Sequence, residues 1–118
     1  MLKPIKLAKK NFLSSFDTSS EEFLNILEIA KNFKNKDLNI EHKDKVLGLI
    51  FDKSSTRTRV SFQVAMSRLG GTTVDLNPTT SQIGRGEPIR DTARVLSRYC
   101  DVLAIRTFKQ SDLEEYAK

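Results

Sequence analysis

Apolar positions in the first third of the chain follow a helical period. Phe23, Ile26, Leu27, Ala30 and Phe33 recur at three- and four-residue spacing, which predicts an amphipathic helix whose stripe packs into a core. Ser19 stands before it and Glu22 three residues on, the pattern of a capping box. Upstream, residues 1–18 carry few order signals beyond Phe12, Leu13 and Phe16, and read as an arm. Asn35 to Asp44 is polar and reads as a loop that leaves His42 exposed.

The period then changes. Val46-Leu47-Gly48-Leu49-Ile50-Phe51 is a short continuous apolar run, as expected of a strand buried on both faces of a parallel sheet. Arg57 to Leu69 returns to helical spacing, with Phe62, Ala65, Met66 and Leu69 inward, and Gly70-Gly71 marks its end. Thr72 to Leu76 is β-branched and reads as a second strand. Asn77 to Glu87 carries Asn-Pro and two glycines, the chemistry of a loop. Pro88 suits the first turn of a further helix with Ile89, Ala93, Leu96 and Cys100 on its stripe. Asp101 to Ile105 is a third strand, closed by Arg106. A last capping box, Ser111 with Glu114, starts another helix with few residues after it. The order predicts an α/β fold, an open parallel sheet flanked by helices. It also reads as an incomplete N-terminal domain, the first part of a longer chain.

With 118 residues and one cysteine, the chain excludes a disulfide framework and a cysteine-based zinc cage. No apolar run approaches a membrane span and no secretory leader is visible, so the expected setting is cytoplasmic, without a membrane partner. The net charge of +5 permits nucleic-acid binding without requiring it. Its distribution is more informative. All eight arginines lie from position 57 onward, and nine of the twelve lysines lie before position 46. Arginines around polar loops suit anion recognition, because the guanidinium fork matches phosphate and carboxylate. After Phe62 only Tyr99, Phe108 and Tyr116 are aromatic, so no stacking platform interleaves these arginines.

The segment between the first strand and its helix, Asp52 to Arg59, concentrates this chemistry. Helix N-termini favour anions, and ligands of open α/β sheets bind at the carboxyl ends of strands. Ser55, Thr56 and Thr58 offer hydroxyls there and Arg57 a charged fork. The glycines and Gly-Lys-Ser/Thr of a nucleotide P-loop are absent, as is Gly-x-Gly-x-x-Gly. A phosphate monoester or small acyl phosphate fits better than ATP or NAD. Arg106, ending the third strand, projects at the same sheet edge. The plainer alternatives are a Ser or Thr helix cap beside solvated arginines, and a surface ion pair for Arg106.

Phe51 to Arg59, with Ser-Thr-Arg-Thr-Arg at its centre, resembles the carbamoyl phosphate motif of the aspartate/ornithine carbamoyltransferase family. The resemblance continues through Ser81 to Glu87, Asp91 to Arg98, Arg106 and Lys109 to Leu113. The Ser-Gln-Ile-Gly loop and the Asp-Thr-Ala-Arg-Val-Leu helix are similar to its ornithine branch. The resemblance implies carbamoyl transfer from carbamoyl phosphate to the side-chain amine of ornithine, giving citrulline and phosphate, with no cofactor and no metal. It implies that Ser55, Thr56, Arg57, Thr58, Gln82 and Arg106 bind carbamoyl phosphate, and that Arg57 and Arg106 are catalytic. Gln82 resembles the residue that reaches a neighbouring subunit's site in the family's homotrimer, and Lys53 is a candidate auxiliary cation. The family's His-Pro-x-Gln segment and its acceptor-binding domain are not in these 118 residues, so the chain alone is expected to be inactive or nearly so. Cys100 does not take the role of the second domain's cysteine. Gly86 stands where some relatives carry a basic residue. Other acceptors (aspartate, putrescine, acylated ornithine) and a non-enzymatic anion- or nucleic-acid-binding module remain the alternatives.

Overall fold

A computed structural model describes residues 6–35, 41–51, 56–76 and 88–118. Lys53, Ser55, Gln82 and the loop expected over 77–87 lie outside the described residues. The chain divides into two units, Met1–Ile40 and Glu41–Lys118.

In the first unit, helix α1 spans Ser20–Lys34, and the expected capping box is present. Glu22 Nα donates to Ser19 Oγ at 3.1 Å, and Ser19 Nα donates back to the Glu22 carboxylate at 2.8 Å. The other carboxylate oxygen accepts from the backbone N–H of Ala8 at 2.8 Å, which ties the arm to the helix start. These N–H donors, Ser19 first, hold the Glu22 carboxyl below its ordinary range. The arm is more ordered than its sequence suggests. A 3₁₀ turn, Ser15–Asp17, is closed by Asp17, whose carboxylate accepts from the N–H groups of Leu13 and Ser14. The α1 stripe corrects the expectation of a core. Its spacing is as predicted, yet no residue of α1 is buried, and Leu27 remains 52% exposed. Within the first unit, one helix and one turn do not make the second layer that a core requires.

The second unit holds the sheet. Strands β1 (Val46–Phe51), β2 (Thr72–Leu76) and β3 (Val102–Arg106) are parallel in the order β2-β1-β3. The apolar run is therefore the central strand, and Leu47, Leu49, Ile50 and Phe51 form the buried core. On one face, Leu47, Leu49 and Phe51 pack with Met66 and Ala104. On the other, Gly48 lets Cys100 and Leu103 approach, and a Cβ there would stand 2.7 Å from Leu103 Cδ2. Burial of the Cys100 thiol, with Asp101 beside it, pushes its pKa up. This agrees with its expected packing role. At the amino end, Asp101 is clipped to β1: Val46 Nα donates to its carboxylate at 2.8 Å, and Asp101 Nα donates to the Val46 carbonyl at 2.9 Å.

Helix α2 (Thr56–Arg68) and helix α3 (Ile89–Tyr99) connect the strands. The first crossover steps from β1 to β2; the second returns past β1 to β3. Right-handed crossovers in opposite directions place helices on opposite faces, an arrangement in keeping with the burial of β1 from Leu47 to Phe51. Of the stripe expected on α2, Met66 and Leu69 are half-buried, whereas Phe62 and Ala65 stay exposed. Phe62 still meets Phe51 edge to face, with centroids 6.4 Å apart.

Gly70-Gly71 ends α2 as expected. Gly70 Nα donates to Ser67 O and Gly71 Nα to Met66 O, both at 3.0 Å, the two bonds of a Schellman cap. Gly70 has φ 86°, and a Cβ on Gly71 would lie 2.8 Å from the Lys45 carbonyl. Gly70→Ala should therefore lower unfolding free energy by roughly 1–2 kcal/mol, the cost of a left-handed non-glycine residue. Urea titration reads this, and an unchanged midpoint would refute the left-handed cap.

Several boundaries differ from expectation; α2, for one, runs one residue earlier at both ends than Arg57 to Leu69. Pro88 is the N-cap of α3 and not part of its first turn; Asp91 and Thr92 donate to its carbonyl. The third strand begins at Val102, because Asp101 is used in the clip to β1. Helix α4 spans Gln110–Tyr116 with Lys109 at the N-cap and no side-chain cap, so Ser111 does not cap it. The backbone turns earlier: Asp112 Nα donates to Lys109 O at 3.1 Å. Asp112 then occupies the first turn, where its charge favours the helix dipole.

Candidate functional site

The strand order has a chemical consequence. From β1 the chain moves to one side, to β2, and later to the other side, to β3. The switch point therefore lies between β1 and β3, and open α/β sheets bind ligands at the carboxyl ends of the strands there. Two expected site elements lie at that end. Arg106 is the last residue of β3 and the register partner of Phe51, the last residue of β1. Five residues after Phe51, α2 begins with Thr56, Arg57 and Thr58. All three are exposed, as is Arg106.

An anion meets complementary groups at such an edge. The first turn of α2 carries backbone N–H groups without intrahelical acceptors and the positive end of the helix dipole. Thr56 and Thr58 add hydroxyls, and Arg57 a planar cation. No acidic residue lies in that turn. Arg57 and Arg59 are two positions apart on the helix and point to different sides of it.

Sequence reasoning assigned no role to Arg59, Asp75 or Thr92. Arg59 Nε lies 3.4 Å from Asp75 Oδ2, and its guanidinium lies 5.6 Å from the centre of the Phe51 ring. The signal for Asp75 was a lone carboxylate in a β-branched strand, where acids are disfavoured. Thr92 is the buried polar residue of α3, at 5% exposure; nothing in its local sequence marks it. A shallow depression lined by Ser15, Thr18, Ser19 and Phe23 belongs to the first unit and includes none of the expected site residues. Among the described residues there is no cluster of histidine, cysteine and carboxylate side chains able to hold a metal ion. Among them, too, no helix is long and apolar enough to cross a membrane.

Residues 10–118 match the family model for the aspartate/ornithine carbamoyltransferase carbamoyl-P binding domain. The ornithine carbamoyltransferase of Prochlorococcus marinus strain MIT 9312 is 80% identical over 118 residues, which are 100% of this chain and 38% of that protein. The Pyrococcus furiosus ornithine carbamoyltransferase structure superposes with a TM-score of 0.85 at 46% identity, over 97% of this chain and 38% of that one. Aspartate transcarbamoylase from Trypanosoma cruzi, in complex with carbamoyl phosphate, gives a TM-score of 0.85 at 32% identity, over 99% of this chain and 40% of that one. The chain thus spans about 38% of the length of its curated relatives. On the strand-terminal arginine, the hydroxyl-rich helix start and a match that runs from residue 10 to 118, the chain belongs to the aspartate/ornithine carbamoyltransferase family, over its carbamoyl phosphate-binding domain.

Proposed function

We propose that these 118 residues supply the carbamoyl phosphate half-site of an ornithine carbamoyltransferase. The observation that carries this reading is the placement of the Thr56-Arg57-Thr58 turn and Arg106 at one sheet end, where the strand order reverses. Ser55, Thr56, Arg57 and Thr58 hold the phosphate. Arg57, Thr58 and Arg106 donate to the carbamoyl carbonyl oxygen. The ornithine side-chain amine attacks the carbonyl carbon, and negative charge grows on that oxygen. Donors already in place lower the barrier, because they need no reorganisation as the charge forms. The bond from carbon to the phosphate oxygen then breaks, phosphate leaves with the electron pair, and the nitrogen gives its proton to the departing phosphate, leaving citrulline. Arg57 also stabilises the departing phosphate.

In the complete enzyme, Gln82 reaches a neighbouring subunit's site within a cytoplasmic homotrimer, and a second domain holds ornithine. Ornithine is favoured as acceptor because relatives at 80%, 75% and 62% identity all carry that activity in their names. Aspartate is the second reading, favoured by the Trypanosoma cruzi TM-score of 0.85.

Isothermal titration of the chain with carbamoyl phosphate tests the half-site. Saturable binding is expected, weakened roughly tenfold in Arg106→Ala by loss of a charge-assisted hydrogen bond. Equal affinity in the parent chain and the variant would remove Arg106 from the site.

A further inference from the structure

We propose that Arg59 is a positioning residue, anchoring the first turn of α2 so that Arg57 faces the ligand; this rests on the half-site reading above. Arg59 lies three residues after Thr56, still within reach of the turn that begins the helix. Its guanidinium joins two strands. It forms an ion pair with Asp75 on β2, at 3.4 Å, and lies over the ring of Phe51 on β1, at 5.6 Å. Phe51 is itself fixed, being 4% exposed, packed edge to face against Phe62 and in register with Arg106. One side chain therefore links α2, the end of β1 and the end of β2.

The contact with Asp75 is electrostatic and not a formed hydrogen bond. Arg59 Nε is buried and lacks a hydrogen-bond partner. Such a pair sets direction and spacing through charge and packing. Helical geometry then assigns the two arginines different tasks: with Arg59 turned to the sheet, Arg57, 200° around the helix at ~100° per residue, turns away from it. Burial agrees, since Arg59 is half-buried and Arg57 exposed.

Asp75 separates positioning from simple electrostatics. A carboxylate near an anion site repels the anion, so on charge alone Asp75→Asn would tighten binding. As part of an anchor, its loss releases Arg59 and weakens binding. The experiment is isothermal titration of the 118-residue chain with carbamoyl phosphate, at a temperature where circular dichroism shows each variant folded. Arg59→Met and Asp75→Asn should each weaken binding roughly tenfold, since small misplacements of binding groups carry large penalties. Arg59→Lys, which keeps the charge, should recover part of that loss. The double variant should lose no more than either single one, as expected for two parts of one link. If Arg59→Met does not fold, Asp75→Asn carries the test. Unchanged or tighter binding by Asp75→Asn, while Arg57→Ala loses affinity, overturns the anchor and leaves the half-site intact. Parent-level binding by Arg57→Ala, or no binding by the parent chain, overturns the half-site and the anchor with it.

Discussion

Arg57→Ala should weaken carbamoyl phosphate binding by roughly 100-fold while leaving the fold unchanged. Arg57 is exposed at the start of α2, with no packing role to lose. Its expected contribution is a bidentate contact with a doubly charged phosphate. Hydrogen bonds to charged groups contribute ~1.5–3 kcal/mol, and a guanidinium fork makes two in a fixed geometry. The upper part of that range corresponds to about two decades in affinity. Arg57→Lys should fall between, because a point charge survives and the fork does not. Isothermal titration reads both, with urea midpoints as the control. Parent-level affinity in the alanine variant would sink the assignment.

Leu49→Ala should cost ~2–5 kcal/mol of unfolding free energy, the range for a fully buried leucine that leaves a cavity. Leu49 is 0% exposed, and lies on the central strand between Asp75 of β2 and Ala104 of β3. It packs with Leu47, Phe51 and Met66. Domains are stable by only about 5–15 kcal/mol, so this one truncation removes a large share. The same change at Val102, 59% exposed on β3, should cost less than ~1 kcal/mol, because little apolar area leaves water there. Urea unfolding of the two variants makes the comparison. Similar losses at both positions would contradict a central, buried β1.

Much of this fold is legible in the sequence, for local reasons. Val46 to Phe51 is apolar at every side-chain-bearing position, and only burial on both faces accounts for that. Ser19 with Glu22 and Gly70 with Gly71 are helix-end chemistry that acts within a few residues. What was not legible depends on distance along the chain. Strand order is decided by which crossover turns which way, so the sheet end common to Arg57 and Arg106 was readable but the switch point was not. The Arg59–Asp75 pair joins positions sixteen apart through a helix packed on a sheet. Ser111 failed as a cap because the backbone wound two residues early, and a Ser-x-x-Glu spacing carries no information on that competition. The stripe of α1 announced an apolar face correctly, but periodicity does not say what covers it. Of the expected binding residues, Thr56, Arg57 and Thr58 open α2 and Arg106 closes β3.

The place of β1 at the centre of the sheet also sets a schedule for synthesis. Its hydrogen-bonding partners are both later in the chain, and the clip from Val46 to Asp101 spans 55 residues. On a ribosome adding ~5–20 residues per second, that separation is roughly 3–11 s. For that interval the most apolar segment of the chain has one edge or both without a partner, since β3 completes the pairing last. Parallel pairings between distant segments also form slowly. The strand that contributes most to the finished core is thus the one most in need of shielding while the chain is being made.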